Sequence, residues 1–64
     1  MELHWILTLE VPGLASLTRY GTWNAEPGST RSTIFNQIRG AVAQDHPELT
    51  RANTVFWSLE PNQL

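Results

Sequence analysis

Histidine is the side chain best suited to act as a general base or a metal ligand near neutral pH, and this chain has two. His4 falls in a segment that alternates like a strand, whereas His46 stands between Asp45 and Pro47, where a helix is expected to end. No third ligand follows at the spacing of a metal site, and the helix dipole favours a histidine at a helix C-terminus. We therefore predict structural roles for both histidines, with no metal and no cofactor.

A cluster of hydroxyl side chains precedes the apolar stripe of that helix: Ser29, Thr30, Ser32 and Thr33. Together with Arg31 it could hold an anion at the helix N-terminus. The cluster lacks the glycine pattern of a phosphate-binding loop, so helix capping is the simpler interpretation. No nucleophile stands next to a base anywhere in the chain, and we predict that the protein is not an enzyme.

Aromatic side chains could stack on the bases of a single-stranded nucleic acid: Trp5, Tyr20, Trp23, Phe35, Phe56 and Trp57. The net charge of −2, from four basic and six acidic residues, argues against such a partner. All four basic residues are arginine, as expected from a GC-rich genome. Packing in a core or an interface is therefore our first interpretation of the aromatics. A nucleic-acid-binding accessory protein of a GC-rich bacterium or its phage is the alternative.

Four elements must position these residues. Residues 2–11 alternate apolar and polar side chains and predict a strand, and Pro12-Gly13 predicts a turn into a second strand over about 14–25. An apolar stripe predicts a helix over about 30–45: Ile34, Phe35, Ile38, Ala41 and Val42. A third strand is expected over 54–60, and Pro61 ends it.

This order of elements predicts one α+β domain, residues 1–64, with the topology ββαβ. The first two strands form an antiparallel hairpin, and we expect the helix to bring the third strand back parallel to the first. The prediction is thus a three-stranded mixed sheet of order 2-1-3, with one helix packed on one face.

One helix covers only one face of such a sheet, so the other face should expose Ile6, Tyr20 and Phe56, with His4 and Arg19 on the rim. Contiguous apolar surface on a small protein usually marks an interface. We therefore expect a non-catalytic protein-interaction module that binds a second copy of itself through the open face or an edge strand. Phe56→Asp should leave a folded monomer and abolish the association.

The order of elements, and the stretch 24–40 in particular, resembles a ubiquitin-like β-grasp domain. The resemblance is carried by the hairpin, by Glu26-Pro27-Gly28-Ser29-Thr30 before the helix, and by Ile34 and Ile38 within it. It implies a β-grasp-like shape and protein binding. It does not imply conjugation chemistry, because Asn62-Gln63-Leu64 stands where conjugating members carry Gly-Gly. With no membrane-spanning apolar run and no secretory signal, we expect a cytoplasmic protein.

Overall fold

The computed structural model describes all 64 residues, which form three strands and one main helix. The elements are β1 (Glu2–Val11), β2 (Ala15–Asn24), α1 (Arg31–Asp45), a 3₁₀ turn (Pro47–Leu49) and β3 (Asn53–Pro61). These bounds match the predicted ones to within one residue at each end. No helix combines the length and the hydrophobicity that a membrane crossing requires.

Two Pro-Gly pairs make the sharp turns before β2 and before the helix. The glycines of Pro12-Gly13 and Pro27-Gly28 have φ values of 78° and 86°, a region that side chains disfavour. In the first turn the Leu14 N–H donates to the Val11 carbonyl over 2.9 Å, as a type II turn requires. The turns therefore follow from local sequence chemistry.

Helix α1 is bounded by its own capping residues. The Thr30 hydroxyl accepts a hydrogen bond from the Thr33 N–H over 3.1 Å, which satisfies one free donor of the first turn. At the other end the His46 N–H donates to the Val42 carbonyl over 2.9 Å, and Pro47 stops the helix. Thr30 of the hydroxyl cluster thus caps the helix, as the sequence indicated.

The core lies between α1 and the central strand β1. Its buried residues come from β1, from α1, and from the segment just before β3: Leu7, Leu9, Ile34, Ile38, Val42, Leu49 and Ala52. Ala41, predicted as part of the apolar stripe, is exposed, and Phe35 is half-buried. The stripe that packs is therefore narrow, with the spacing Ile34, Ile38, Val42.

The strand order 2-1-3 is confirmed, but the prediction of a mixed sheet is wrong, because β3 runs antiparallel to β1. A helical crossover makes parallel the two strands that it joins, which here are β2 and β3. The 15 residues of α1 span about 22 Å and carry the chain back to the end where β2 began. Since β1 is antiparallel to β2 and lies between them, β3 must oppose β1 as well.

Strand β3 contains an irregularity that β2 lacks. Thr8 pairs with Phe56 and Leu9 pairs with Thr54, so Val55 is an extra residue without a partner on β1. This is a β-bulge, which bends the strand that carries it. Strand β2 pairs with β1 in an unbroken register from Glu2–Asn24 to Val11–Ala15.

Candidate functional site

The side of the sheet opposite α1 carries no other element, and we call it the uncovered face. Alternate residues of β1 lie on it, from Glu2 to Glu10, and their neighbours follow from the strand register. Its residues are Glu2, His4, Ile6, Thr8 and Glu10 from β1, Ser16, Thr18, Tyr20, Thr22 and Asn24 from β2, and Asn53, Phe56, Ser58 and Glu60 from β3. It is a mostly polar surface with an apolar centre.

That centre is a line of three side chains, Tyr20, Ile6 and Phe56, which we call the apolar diagonal. Tyr20 is directly opposite Ile6, and Phe56 is opposite Thr8, one row further along. Such diagonal neighbours have Cα atoms about 7–8 Å apart, within reach of aromatic side chains. Tyr20 is 73% exposed and Phe56 is 52% exposed, while Ile6 between them is half-buried. The three residues predicted to share the open face do share it.

His4 borders the apolar diagonal, as predicted. Its ring centroid lies 6.4 Å from that of Tyr20, and it is opposite Glu60 on β3 and Thr22 on β2. On the far side of the Ile6–Tyr20 pair, the Thr8 and Thr18 hydroxyls form a hydrogen bond of 2.8 Å. No group of three potential metal ligands occurs in the structure.

Arg19 lies on the other side of the sheet, contrary to its predicted place on the rim of the open face. It is opposite the buried Leu7, and its Nη1 donates to His46 Nε2 over 3.2 Å. Because arginine can only donate, the proton of a neutral His46 resides on Nδ1, which lies 3.4 Å from Glu48 Oε1. The sequence carried the signal for this placement, since Arg19 shares parity with Leu17 and Trp23.

The charges are divided between the two sides. Three carboxylates occupy the uncovered face, Glu2, Glu10 and Glu60, and no arginine does. The four arginines are Arg19 on the helix side, Arg31 and Arg39 in α1, and Arg51 in the loop before β3. The face therefore lacks the positive potential that nucleic-acid backbones require.

The outer edge of β2 is a second unpartnered surface. Met1 and Ala25 exchange hydrogen bonds of 3.3 and 2.9 Å, so the odd-numbered residues of β2 point their backbone groups towards β1. The even-numbered residues point theirs outwards, and no hydrogen bond of the chain reaches these groups. We call this row the β2 edge: the N–H and C=O groups of Ser16, Thr18, Tyr20, Thr22 and Asn24.

Concave surface flanks Arg31 on the helix side, in two shallow depressions of about 530 and 540 Å³. One has an apolar floor that includes Ile34 and Leu59. The other contains Trp57, whose ring lies 6.0 Å from the Arg31 guanidinium carbon. Neither depression is lined by a histidine.

Comparisons with known proteins identify no relative of the chain. No protein-family model, no curated protein and no solved structure matches the chain. The resemblance to the β-grasp family gains no support from them, and the functional argument rests on the chain's own geometry.

Proposed function

We propose that the chain is a small, non-catalytic protein-interaction module and that its first partner is a second copy of itself. The observation that carries this proposal is that the sheet has no partner on one face or along its two outer edges, of which the edge formed by β2 is regular. The contact residues expected from the sequence are Ile6, Tyr20, Phe56 and His4, which adjoin one another on the uncovered face. Arg19 is not one of the contact residues, since it contacts His46 on the opposite side of the sheet.

The size of the core supports association. Only seven of 64 residues are buried, and both outer strands contribute side chains that are no more than half-buried. Chains this short rarely gain more than about 3–5 kcal/mol from a single core, and oligomerisation is one of the usual remedies. A second copy that binds only the folded state would stabilise it by mass action.

The alternative, a nucleic-acid-binding accessory protein, is not favoured by the layout of charge. Its stacking residues Tyr20 and Phe56 lie among three carboxylates, where phosphate groups would be repelled. A bacterial source and a cytoplasmic location remain part of the proposal, as expected from the sequence.

Sedimentation equilibrium over a range of concentrations tests the proposal. Wild type should form a dimer. Two variants separate the routes: Phe56→Asp puts a charge on the uncovered face, and Thr22→Pro removes an outward N–H from the β2 edge. Proline is tolerated at an edge position whose N–H faces solvent, so the monomer should still fold. Leu14→Asp is the control, because Leu14 is 84% exposed in the hairpin turn, away from both surfaces.

A wild-type protein that stays monomeric at millimolar concentration would refute self-association. Dimers that survive in both sheet variants would show that the sheet is not the contact. Circular dichroism of each variant distinguishes loss of association from loss of the fold.

A further inference from the structure

We infer that two copies join along the β2 edge, antiparallel about a two-fold axis at Tyr20, to form one continuous six-stranded sheet. This inference rests on the proposed self-association and names the contact and its register. The occupant of the edge is a second copy of the chain, for reasons of hydrogen bonding, side-chain pairing and charge.

Hydrogen bonding identifies β2 as the edge that is open. It is a ten-residue strand with no proline, no bulge and no residue of positive φ. The outer edge of β3 is interrupted by the bulge at Val55 and ends at Pro61, which has no N–H. Bulges, prolines and charges are the usual means of blocking an edge. β3 has all three of these devices, the charge being Glu60, whereas β2 carries only one charge, Arg19, which is directed at His46.

The alternation of outward groups restricts the register. Only even-numbered residues of β2 offer free N–H and C=O groups, so only even-numbered residues can form hydrogen-bonded pairs with a second β2. A two-fold axis at Tyr20 uses all of them, for about ten hydrogen bonds between the copies. A slip of two residues in either direction leaves one of the five residues of each copy without a partner.

The same register brings compatible side chains together. On the helix side Leu17 is opposite Trp23 of the second copy, so two half-buried apolar side chains cover each other. Arg19 is opposite Gly21, which has no side chain to obstruct it. On the other side Thr18 is opposite Thr22. The alternative centred on Arg19 places two guanidinium groups directly opposite each other, an unfavourable pair.

The joined sheet also extends the apolar diagonal. Tyr20, the most exposed residue of that line, would lie beside Tyr20 of the second copy. The line would then run from Phe56 through Ile6 and Tyr20 of one copy into the same residues of the other. Both helices would lie on the opposite side, and because α1 packs on β1, their axes would be about 14 Å apart, three strand spacings. Helices are about 10–12 Å wide, so the two do not collide.

Distances between spin labels test the register. The chain has no cysteine, so Ser16→Cys and Asn24→Cys each accept a single nitroxide on an exposed side chain outside the apolar diagonal. In the inferred register each label faces the other position, and the stretch from Ser16 to Asn24 rises about 27 Å. Double electron–electron resonance should therefore give equal distances for the two labelled dimers. A slip of two residues would give about 20 Å for one and about 34 Å for the other.

The oligomeric state of three variants tests whether the copies join along the β2 edge. Thr22→Pro should be monomeric, and its backbone-preserving control Thr22→Val should be dimeric. Phe56→Asp should be dimeric as well, in place of the monomer expected from a contact through the uncovered face, because Phe56 lies on β3, away from the β2 edge. Dimers with unequal label distances would overturn the register alone. A dimeric Thr22→Pro, or a monomeric Phe56→Asp, would overturn the edge contact while leaving self-association intact. Monomeric wild type would overturn the proposed function first.

Discussion

Amide hydrogen exchange is expected to alternate along β2, with a period of two residues. After transfer of a dilute sample to D₂O, the N–H groups that donate to β1 should exchange slowly: Ala15, Leu17, Arg19, Gly21 and Trp23. The outward N–H groups of the β2 edge should exchange at nearly the rate of an unstructured chain. The reason is the register, in which only every second residue of an edge strand is hydrogen-bonded to its neighbour.

The size of the difference follows from the stability of the fold. The inward amides of a strand paired with the core strand exchange when that pairing opens, and opening costs at most the global free energy of unfolding. For a chain of this size that free energy is about 3–5 kcal/mol. At about 1.4 kcal/mol per factor of ten, the slow amides should be protected by roughly two to nearly four orders of magnitude.

Two-dimensional NMR at two protein concentrations provides the assay. At low concentration the alternation should be clear. At high concentration the outward amides should gain the protection that they lack in the monomer, and the inward amides should slow further because association stabilises the folded state. Protection of the outward amides in a dilute monomer would refute the free edge. Fast exchange of the same amides in a sample shown to be dimeric would refute pairing along β2.

Substitutions at two positions, Ile38 and Trp5, test the account of the packing. Ile38 is 1% exposed at the centre of the packed stripe, so Ile38→Ala should cost about 2–5 kcal/mol and leave much of the protein unfolded, whereas Ile38→Val should cost about 0.5–1.5 kcal/mol in urea titrations. Equal losses of unfolding free energy in Ile38→Ala and Ile38→Val would contradict the packing described. Trp5 covers Gly21, whose added Cβ would lie 3.4 Å from the indole ring, but its buried Nε1–H has no hydrogen-bond partner. Trp5→Phe should therefore change the unfolding free energy by less than about 1.5 kcal/mol, because losing an unsatisfied donor offsets the lost ring area. A loss as large as that of Trp5→Ala, about 3–5 kcal/mol, would show that Nε1 has a partner in solution.

Much of the local structure could be predicted because its causes are local. The alternation of residues 2–11 predicted β1, the Pro-Gly pairs predicted their turns, and Thr30 and Pro47 bounded the helix. The strand order was predicted from the helical connection that places β3 beside β1, and this order is confirmed although the predicted parallel direction is wrong. The shared face of Ile6, Tyr20 and Phe56 could be predicted as well, because parity along a strand decides which way a side chain points.

The sequence by itself determined the elements, the strand order and the residues of the uncovered face. The direction of β3, the bulge at Val55 and the contact between Arg19 and His46 were decided only in three dimensions. The physical reason is that these three features depend on how elements distant in the sequence are placed against one another. A helix fixes the relative direction of the strands it joins, β2 and β3, while the neighbour that β3 pairs with is β1. The free β2 edge was likewise decided only in three dimensions, because its outward N–H and C=O groups are unbonded only if no other strand lies beside β2.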